Sequence, residues 1–274
     1  MGTLYLVATP IGNLEDASPR ALRTLASVGL IAAEDTRQTL KLLNRFNIHT
    51  PLVSYFEHSK LTRVEQILAA LEKGDVALVS DAGTPALNDP GYELVRRALQ
   101  AGHSVSPVPG PCAPLAALVA SGLPTDTFLY LGYLPRKSKE RRRALSDARD
   151  YPFTLIFLEA PHRLLAALED MLAILGDREV AVARELTKQH EEIFRGNLSA
   201  ALAHFSANQP RGEFTLVVAG KKEQPTRWSE DQLDEALLDA LKSGLPPTRI
   251  ASRLAGESGW HRREIYRRLT RSQT

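Results

Sequence analysis

One cysteine, Cys112, among 274 residues excludes an intramolecular disulfide framework and a cysteine-built zinc site, and fits a reducing compartment. The seven histidines are scattered, with no His-x-x-x-His and no carboxylate–histidine pair at ligand spacing, so no metal is expected. No apolar run approaches the ~20 residues that cross a bilayer. Met1-Gly-Thr-Leu-Tyr-Leu leads directly into a strand-like pattern, without the basic and apolar regions of a secretion signal. A soluble, cytoplasmic protein is the expectation. A Walker lysine and a strand-following Gly-x-Gly-x-x-Gly are also missing, which argues against a phosphate-cradling nucleotide site. The formal net charge of +2 says little, because the basic residues are unevenly distributed.

What is present is an alternation of short apolar runs with amphipathic stretches. Strands are predicted at 3–8, 30–33, 75–79 and 104–108, with helical patterns at 19–26, 37–46, 64–71 and 92–100 and a small-residue helix from Pro114 to Ser121; Pro51–Ser54 leads from one helix toward the next. That rhythm implies a mostly parallel α/β sheet. Gly122-Leu-Pro-Thr-Asp126 marks a boundary. Beyond it come apolar strands at 128–134, 153–158, 179–183 and 214–219, an extended stretch at 189–194, and helices at 161–175 and 198–206. Lys221–Arg227, containing Pro225, reads as a linker. Leu233, Ala236, Leu237, Ala240 and Leu241 then recur at helical spacing, and 248–254 and 261–270, separated by a turn at 256–259, form a second helix pair. Three modules are expected: an α/β domain over 1–122, a second over 123–220, and a helix-turn-helix-like module over 229–274.

In open α/β sheets ligands sit outside the carboxyl ends of the strands, which directs attention to four loops: 9–16, 34–37, 80–91 and 109–113. The most informative is Ser80-Asp-Ala-Gly-Thr-Pro-Ala-Leu-Asn-Asp-Pro-Gly91. Gly83, lacking Cβ, lets backbone approach a ligand, and Pro85 and Pro90 hold the loop in one shape.

Val7-Ala-Thr-Pro-Ile-Gly-Asn-Leu-Glu-Asp16, Ala33-Glu-Asp-Thr-Arg37, Ser80-Asp-Ala-Gly-Thr-Pro85, Pro109-Gly110 and Glu159-Ala-Pro-His-Arg163, in that order, resemble the bacterial ribosomal RNA small-subunit methyltransferase I family of the tetrapyrrole methylase superfamily. The resemblance spans 1–220 and, more loosely, the tail. It implies two α/β domains with an S-adenosylmethionine cleft between them, lined by Gly12, Ser80, Asp81, Ala82, Gly83, Thr84, Leu87, Pro111, Cys112 and Ala113. It further implies methylation of a cytidine ribose 2′-oxygen in the decoding region of 16S rRNA, within the small ribosomal subunit, by a homodimer. Apart from the apolar helices, the sequence offers only the 128–134 strand as an interface. Tetrapyrrole-binding relatives carry Gly-Asp-Pro where this chain has Gly83-Thr84-Pro85, which puts a tetrapyrrole substrate in doubt.

For the chemistry, a carboxylate at Asp35 could take the hydroxyl proton while Arg37 positions a phosphate and Glu34 lies beside them. Capping of the following helix by Asp35 or Thr36 explains the same residues, and both can hold. Lys188, if its pKa is lowered, is a second candidate base; otherwise it contacts phosphate. Glu159, His162 and Arg163 either bind substrate or form a helix start with a structural ion pair. Tyr55 and Phe56, beside Glu57 and His58, offer rings for a base or an anchor for the next helix. Two basic runs, Arg136–Arg143 (with Arg141 and Arg142) and His261–Arg271 (with Arg262, Arg263 and Arg267), form an RNA footprint. These runs argue against the alternative of a corrin-type small-molecule methyltransferase. The loops argue against a non-enzymatic ribosome-associated protein.

Overall fold

The computed structural model describes residues 1–56, 61–222, 227–243 and 245–271; Glu57, His58 and Pro225, named above, lie outside them. Met1–Lys221 form one compact unit and Lys222–Thr274 another.

The first unit contains two five-stranded sheets. Strands β1 (Thr3–Val7), β2 (Leu30–Ala33), β3 (Leu52–Ser54), β4 (Val76–Val79) and β5 (Ser104–Val108) make an all-parallel sheet in the order β3-β2-β4-β1-β5. All four residues of β4 are buried, as a strand covered on both faces requires. One face packs on α1 (Pro19–Ser27) and α2 (Thr36–Arg45) through Leu25, Leu42 and Leu43. The other packs on α3 (Leu61–Leu71) and α4 (Tyr92–Gln100) through Ile67, Leu71 and Leu94. Ser18 and Pro19 open α1 as N-cap and first helical residue: the Ser18 hydroxyl accepts the Ala21 N–H at 3.1 Å, with proline in the first turn.

The second sheet is mixed. Strands β6 (Phe128–Tyr133), β7 (Thr154–Glu159), β8 (Glu179–Arg184), β9 (Glu192–Asn197) and β10 (Phe214–Val218) lie in the order β6-β7-β10-β8-β9. Only β6 and β7 run parallel; β10 is antiparallel to both β7 and β8, and β8 to β9. The extended stretch expected at 189–194 pairs three residues later, at 192–197. One face is covered by α6 (Ser138–Ala148), α7 (Leu164–Leu175) and α8 (Leu198–Ala207). The other is covered by α5 (Ala113–Ser121), whose Ala117 and Leu118 pack on Ile156, Ala181 and Val217. That helix falls before the Gly122 boundary in sequence, yet it supplies the second sheet's core, because its apolar residues face strands 7, 8 and 10. Gly122 ends it in the left-handed conformation (φ 82°).

The second unit holds α9 (Glu230–Lys242), α10 (Pro247–Ser258) and α11 (Arg262–Arg271). Ser229 and Gln232 form a reciprocal capping box at the start of α9. Leu233, Leu237, Ile250, Leu254, Ile265 and Leu269 make its core. Where the sequence placed a turn at 256–259, α10 runs through Gly256 and ends at Gly259 (φ 67°). A helical glycine costs about 1 kcal/mol relative to alanine, which the packing of Leu254 and the fully buried Ser258 outweighs. Trp260 lies under the guanidinium of Arg227 at 3.8 Å and that of Arg268 at 4.9 Å, and its indole N–H donates to the Trp228 carbonyl at 2.8 Å. Among the described residues no helix is long and apolar enough to cross a membrane, and no cluster of three or more His, Cys, Asp or Glu could hold a metal.

Candidate active site

The carboxyl ends of β1, β4 and β5 open on one edge, and their loops are tied to one another before any ligand is considered. Thr9 and Gly83 exchange backbone hydrogen bonds at 2.9 and 3.0 Å. The Thr84 hydroxyl donates to the Pro111 carbonyl at 3.1 Å. The loop after β2 joins them: the Asp35 N–H donates to Asp81 at 2.9 Å, and the Asp81 N–H to the Glu34 carboxylate at 3.3 Å. Gly83 sits at φ +80° with Ile11 against it, and a Cβ there would lie 3.3 Å from the Ile11 methyl. Ala86 (φ 66°) and Asn88 (φ 64°) occupy the left-handed region without being glycine, strain that concentrates at functional sites.

These loops form one wall of a cavity of about 230 Å³. Of the residues expected around a cofactor, Asp81, Ala82, Gly83, Thr84, Leu87, Cys112 and Ala113 line this cavity. Ser80 is buried behind the wall, with 2% exposure, its hydroxyl bonded to the Ala82 carbonyl. Pro111 acts through its carbonyl. Gly12 lies elsewhere, pressed against Lys188: a Cβ on it would stand 2.3 Å from Lys188 Cγ. Glu34, expected beside Asp35 and Arg37 where substrate would lie, lines this cavity.

The other wall comes from the second sheet: Tyr130 and Tyr133 of β6, Leu158 of β7, and Glu213, Phe214 and Thr215 at the start of β10. Sequence reasoning missed all of these, and it missed Asn88 and Asp89 within a segment it had singled out. Tyrosines on an apolar strand were a usable signal, since each carries a polar tip needing a partner. The Tyr130 hydroxyl is buried with no hydrogen-bond partner among the described residues, and burial drives its pKa up. Burial also pushes the Asp89 carboxyl up, against the pull of a Ser80 hydrogen bond.

Asp35 caps α2, accepting the Arg37 N–H at 2.9 Å, and grips the Arg37 guanidinium at 2.6–3.2 Å. The Arg37 hydrogen bonds hold its pKa at about 2, which makes it a poor base at neutral pH. Lys188 is held by Glu185 at 2.8 Å and Glu213 at 2.9 Å. Burial works to lower its pKa, but the two carboxylates outweigh burial and raise it, the reverse of what a neutral lysine base needs. Its loop is tied to the first sheet by the Asn13 N–H, which donates to Thr187 at 3.1 Å.

Glu159 and Arg163 form a buried pair at 3.1 Å, with His162 exposed beside it. The reading of Arg141 as an RNA contact is corrected. It is 7% exposed and bonds Asp170 of α7 at 2.7 Å. Arg142 reaches the same carboxylate at 2.6 Å with its side chain 61% exposed. In the second unit Arg262, Arg263 and Arg267 are exposed.

A sequence profile of the tetrapyrrole (corrin/porphyrin) methylases matches residues 3–202. The ribosomal RNA small subunit methyltransferase I of Synechocystis sp. is 49% identical over 269 residues, covering 97% of this chain and 96% of that protein. The chain belongs to this family of tetrapyrrole methylases. The protein of the same name from Thermotoga maritima is 49% identical over 223 residues, 81% of this chain and 100% of that relative. The fold recurs in diphthine synthase (TM-score 0.61, 13% identity, 80% of this chain and 90% of that one). It recurs also in uroporphyrin-III C-methyl transferase from Thermus thermophilus, solved with S-adenyl homocysteine (TM-score 0.54, 22% identity, 80% and 98%). S-adenosylmethionine-dependent methyl transfer is the chemistry of the family. The cavity suits such a group: backbone-rich loops, a glycine at positive φ, and an unpartnered buried tyrosine hydroxyl on the wall.

Proposed function

We propose that the chain methylates a cytidine ribose 2′-oxygen in the decoding region of 16S rRNA, within the small ribosomal subunit, as a cytoplasmic homodimer. The observation that carries the reading is the cavity assembled from the four motif loops, in a chain with separate exposed arginine-rich surfaces. When bound, S-adenosylmethionine supplies a methyl group on a positively charged sulfur, which leaves as a neutral thioether. Asp81, Gly83, Thr84, Leu87, Cys112, Ala113 and Tyr130 would hold it. The protein must then orient the ribose hydroxyl and receive its proton. Asp89 suits the second task, because it lines the cavity and burial raises its carboxyl, bringing a carboxylate closer to the working pH of a base. In this reading Asp35 holds the Glu34–Asp81 junction and Lys188 holds Glu213, so both position the cavity walls. The exposed Arg262, Arg263 and Arg267 would meet phosphates.

The test is nucleoside mass mapping of 16S rRNA from a deletion strain. One 2′-O-methylcytidine in the decoding region should vanish and return when the gene is restored. An unchanged set of modifications refutes the reading. Sedimentation at micromolar concentration tests the dimer, for which edge strand β6 exposes Phe128 and Leu131; a monomer refutes that part.

A further inference from the structure

Beside the cavity lies a second, open depression of about 660 Å³, formed by Tyr133, Pro135, Arg136, Ala160, His162 and Arg163, with Leu134 at its floor. We infer that it seats the RNA nucleotide to be modified, with Arg136 and His162 taking the phosphate. The inference rests on the methyltransferase reading of the neighbouring cavity.

The topology places the depression. Strands β6 and β7 are the parallel pair of the second sheet, so their carboxyl ends open on one edge, where ligands gather for the same reason as on the first sheet. Tyr133, at the end of β6, belongs to both hollows. A group resting against one side of this residue is therefore next to whatever the cavity holds on the other. Its volume falls within the ~300–1,000 Å³ of small-molecule sites.

The chemistry of the lining names the ligand class. Arg136 and His162 are exposed, carry donors and lie at the rim. Arg163 is fixed: its guanidinium donates to the Leu134 carbonyl and pairs with Glu159 at 3.1 Å. One Glu159 oxygen also accepts the Ala160 N–H at 2.9 Å, while the other is buried without a hydrogen-bond partner among the described residues. Glu159 is thus a positioning residue that sets the shape of the depression from below. From its rim the exposed Lys137, Lys139, Arg142 and Arg143 continue along the start of α6, a run of cations suited to the phosphates flanking one seated nucleotide. All of these residues lie in Met1–Lys221. The Thermotoga maritima relative, matched along its whole length, leaves about a fifth of this chain without counterpart, as much as the second unit holds.

The experiment uses the full-length protein carrying Arg136→Ala and His162→Ala together, both exposed, with Arg96→Ala on α4 as the control. Binding to purified small ribosomal subunits is measured across a salt series, and S-adenosylmethionine binding by calorimetry. The expected result is a loss of subunit affinity of about tenfold or more, and a slope of log affinity against log salt shallower by about 0.7–0.9 per lost phosphate contact. S-adenosylmethionine affinity should be unchanged and the control should match wild type. Subunit affinity and slope equal to wild type, in a protein that binds S-adenosylmethionine, would overturn the seat alone. A wild-type protein that fails to bind S-adenosylmethionine would overturn both the seat and the reading beneath it.

Discussion

Gly132 and Asn88 show how single residues set the cavity. Gly132 sits at φ +62° beside the irregularity in β6, and a Cβ on it would stand 2.6 Å from the Asn88 amide nitrogen. Gly132→Ala should therefore displace Asn88, adding backbone strain of about 1–2 kcal/mol. S-adenosylmethionine affinity should fall about tenfold in a protein that still folds; calorimetry with unaltered affinity would remove Asn88 from the site. Asp35 and Asp89 separate by pH. The folded pKa of Asp35, about 2, lies below the ordinary carboxylate value of 3.8, because the Arg37 hydrogen bonds favour the ionised form. Its pairing therefore contributes stability above pH ~4 that is lost as pH falls toward 2, and Asp35→Asn should flatten the acid unfolding curve in that window. Asp89 is raised, so the rate should climb as pH rises through its pKa and the base ionises. Asp89→Asn should lower turnover by about 10²–10⁴ and erase that limb, with S-adenosylmethionine binding retained. A variant keeping both rate and limb places proton removal elsewhere.

At the scale of elements, α6 separates buried charge that folds the protein from exposed charge at its surface. Arg141, Leu145 and Ala148 are buried on one face, and Asp170 receives both Arg141 and Arg142. Arg141→Ala leaves a buried carboxylate short of its partner and should cost about 3–5 kcal/mol. Arg142→Ala, at an exposed position, should cost about 1 kcal/mol or less. Denaturant midpoints decide; equal losses would contradict the burial. Local signals were legible where a few adjacent residues act together: Ser18-Pro19 opening α1, or the punctuation around Gly83. The i, i+4, i+7 spacing of Arg141, Leu145 and Ala148 was there to read, but the Asp170 that receives the arginine is 29 residues away. Apart from the signal its tyrosines carried, the second wall was illegible for the same reason. Tyr130, Leu158 and Phe214 come from three strands whose adjacency is set by β10 entering between β7 and β8, a pairing across long stretches of chain.

The whole molecule divides at Lys221, with each unit holding its own core. Truncation there should leave S-adenosylmethionine affinity intact while weakening attachment to small ribosomal subunits and flattening its salt dependence, as Arg262, Arg263 and Arg267 are lost. Subunit binding equal to the full chain would give the tail a different task. Within the first unit, α5 starts among the loops of one sheet and packs on the other, so both sheets should melt in one transition. The position of β10 has a consequence for synthesis. It is the last strand to be made and the middle strand of its sheet. Until residue 218 has cleared the exit tunnel, β7 and β8 have no common neighbour to pair with, and Glu213, Phe214 and Thr215 are missing from the cavity wall. A nascent chain thus holds its loops half assembled until more than 218 of its 274 residues have been made, and gains its pocket only when one late strand slides home.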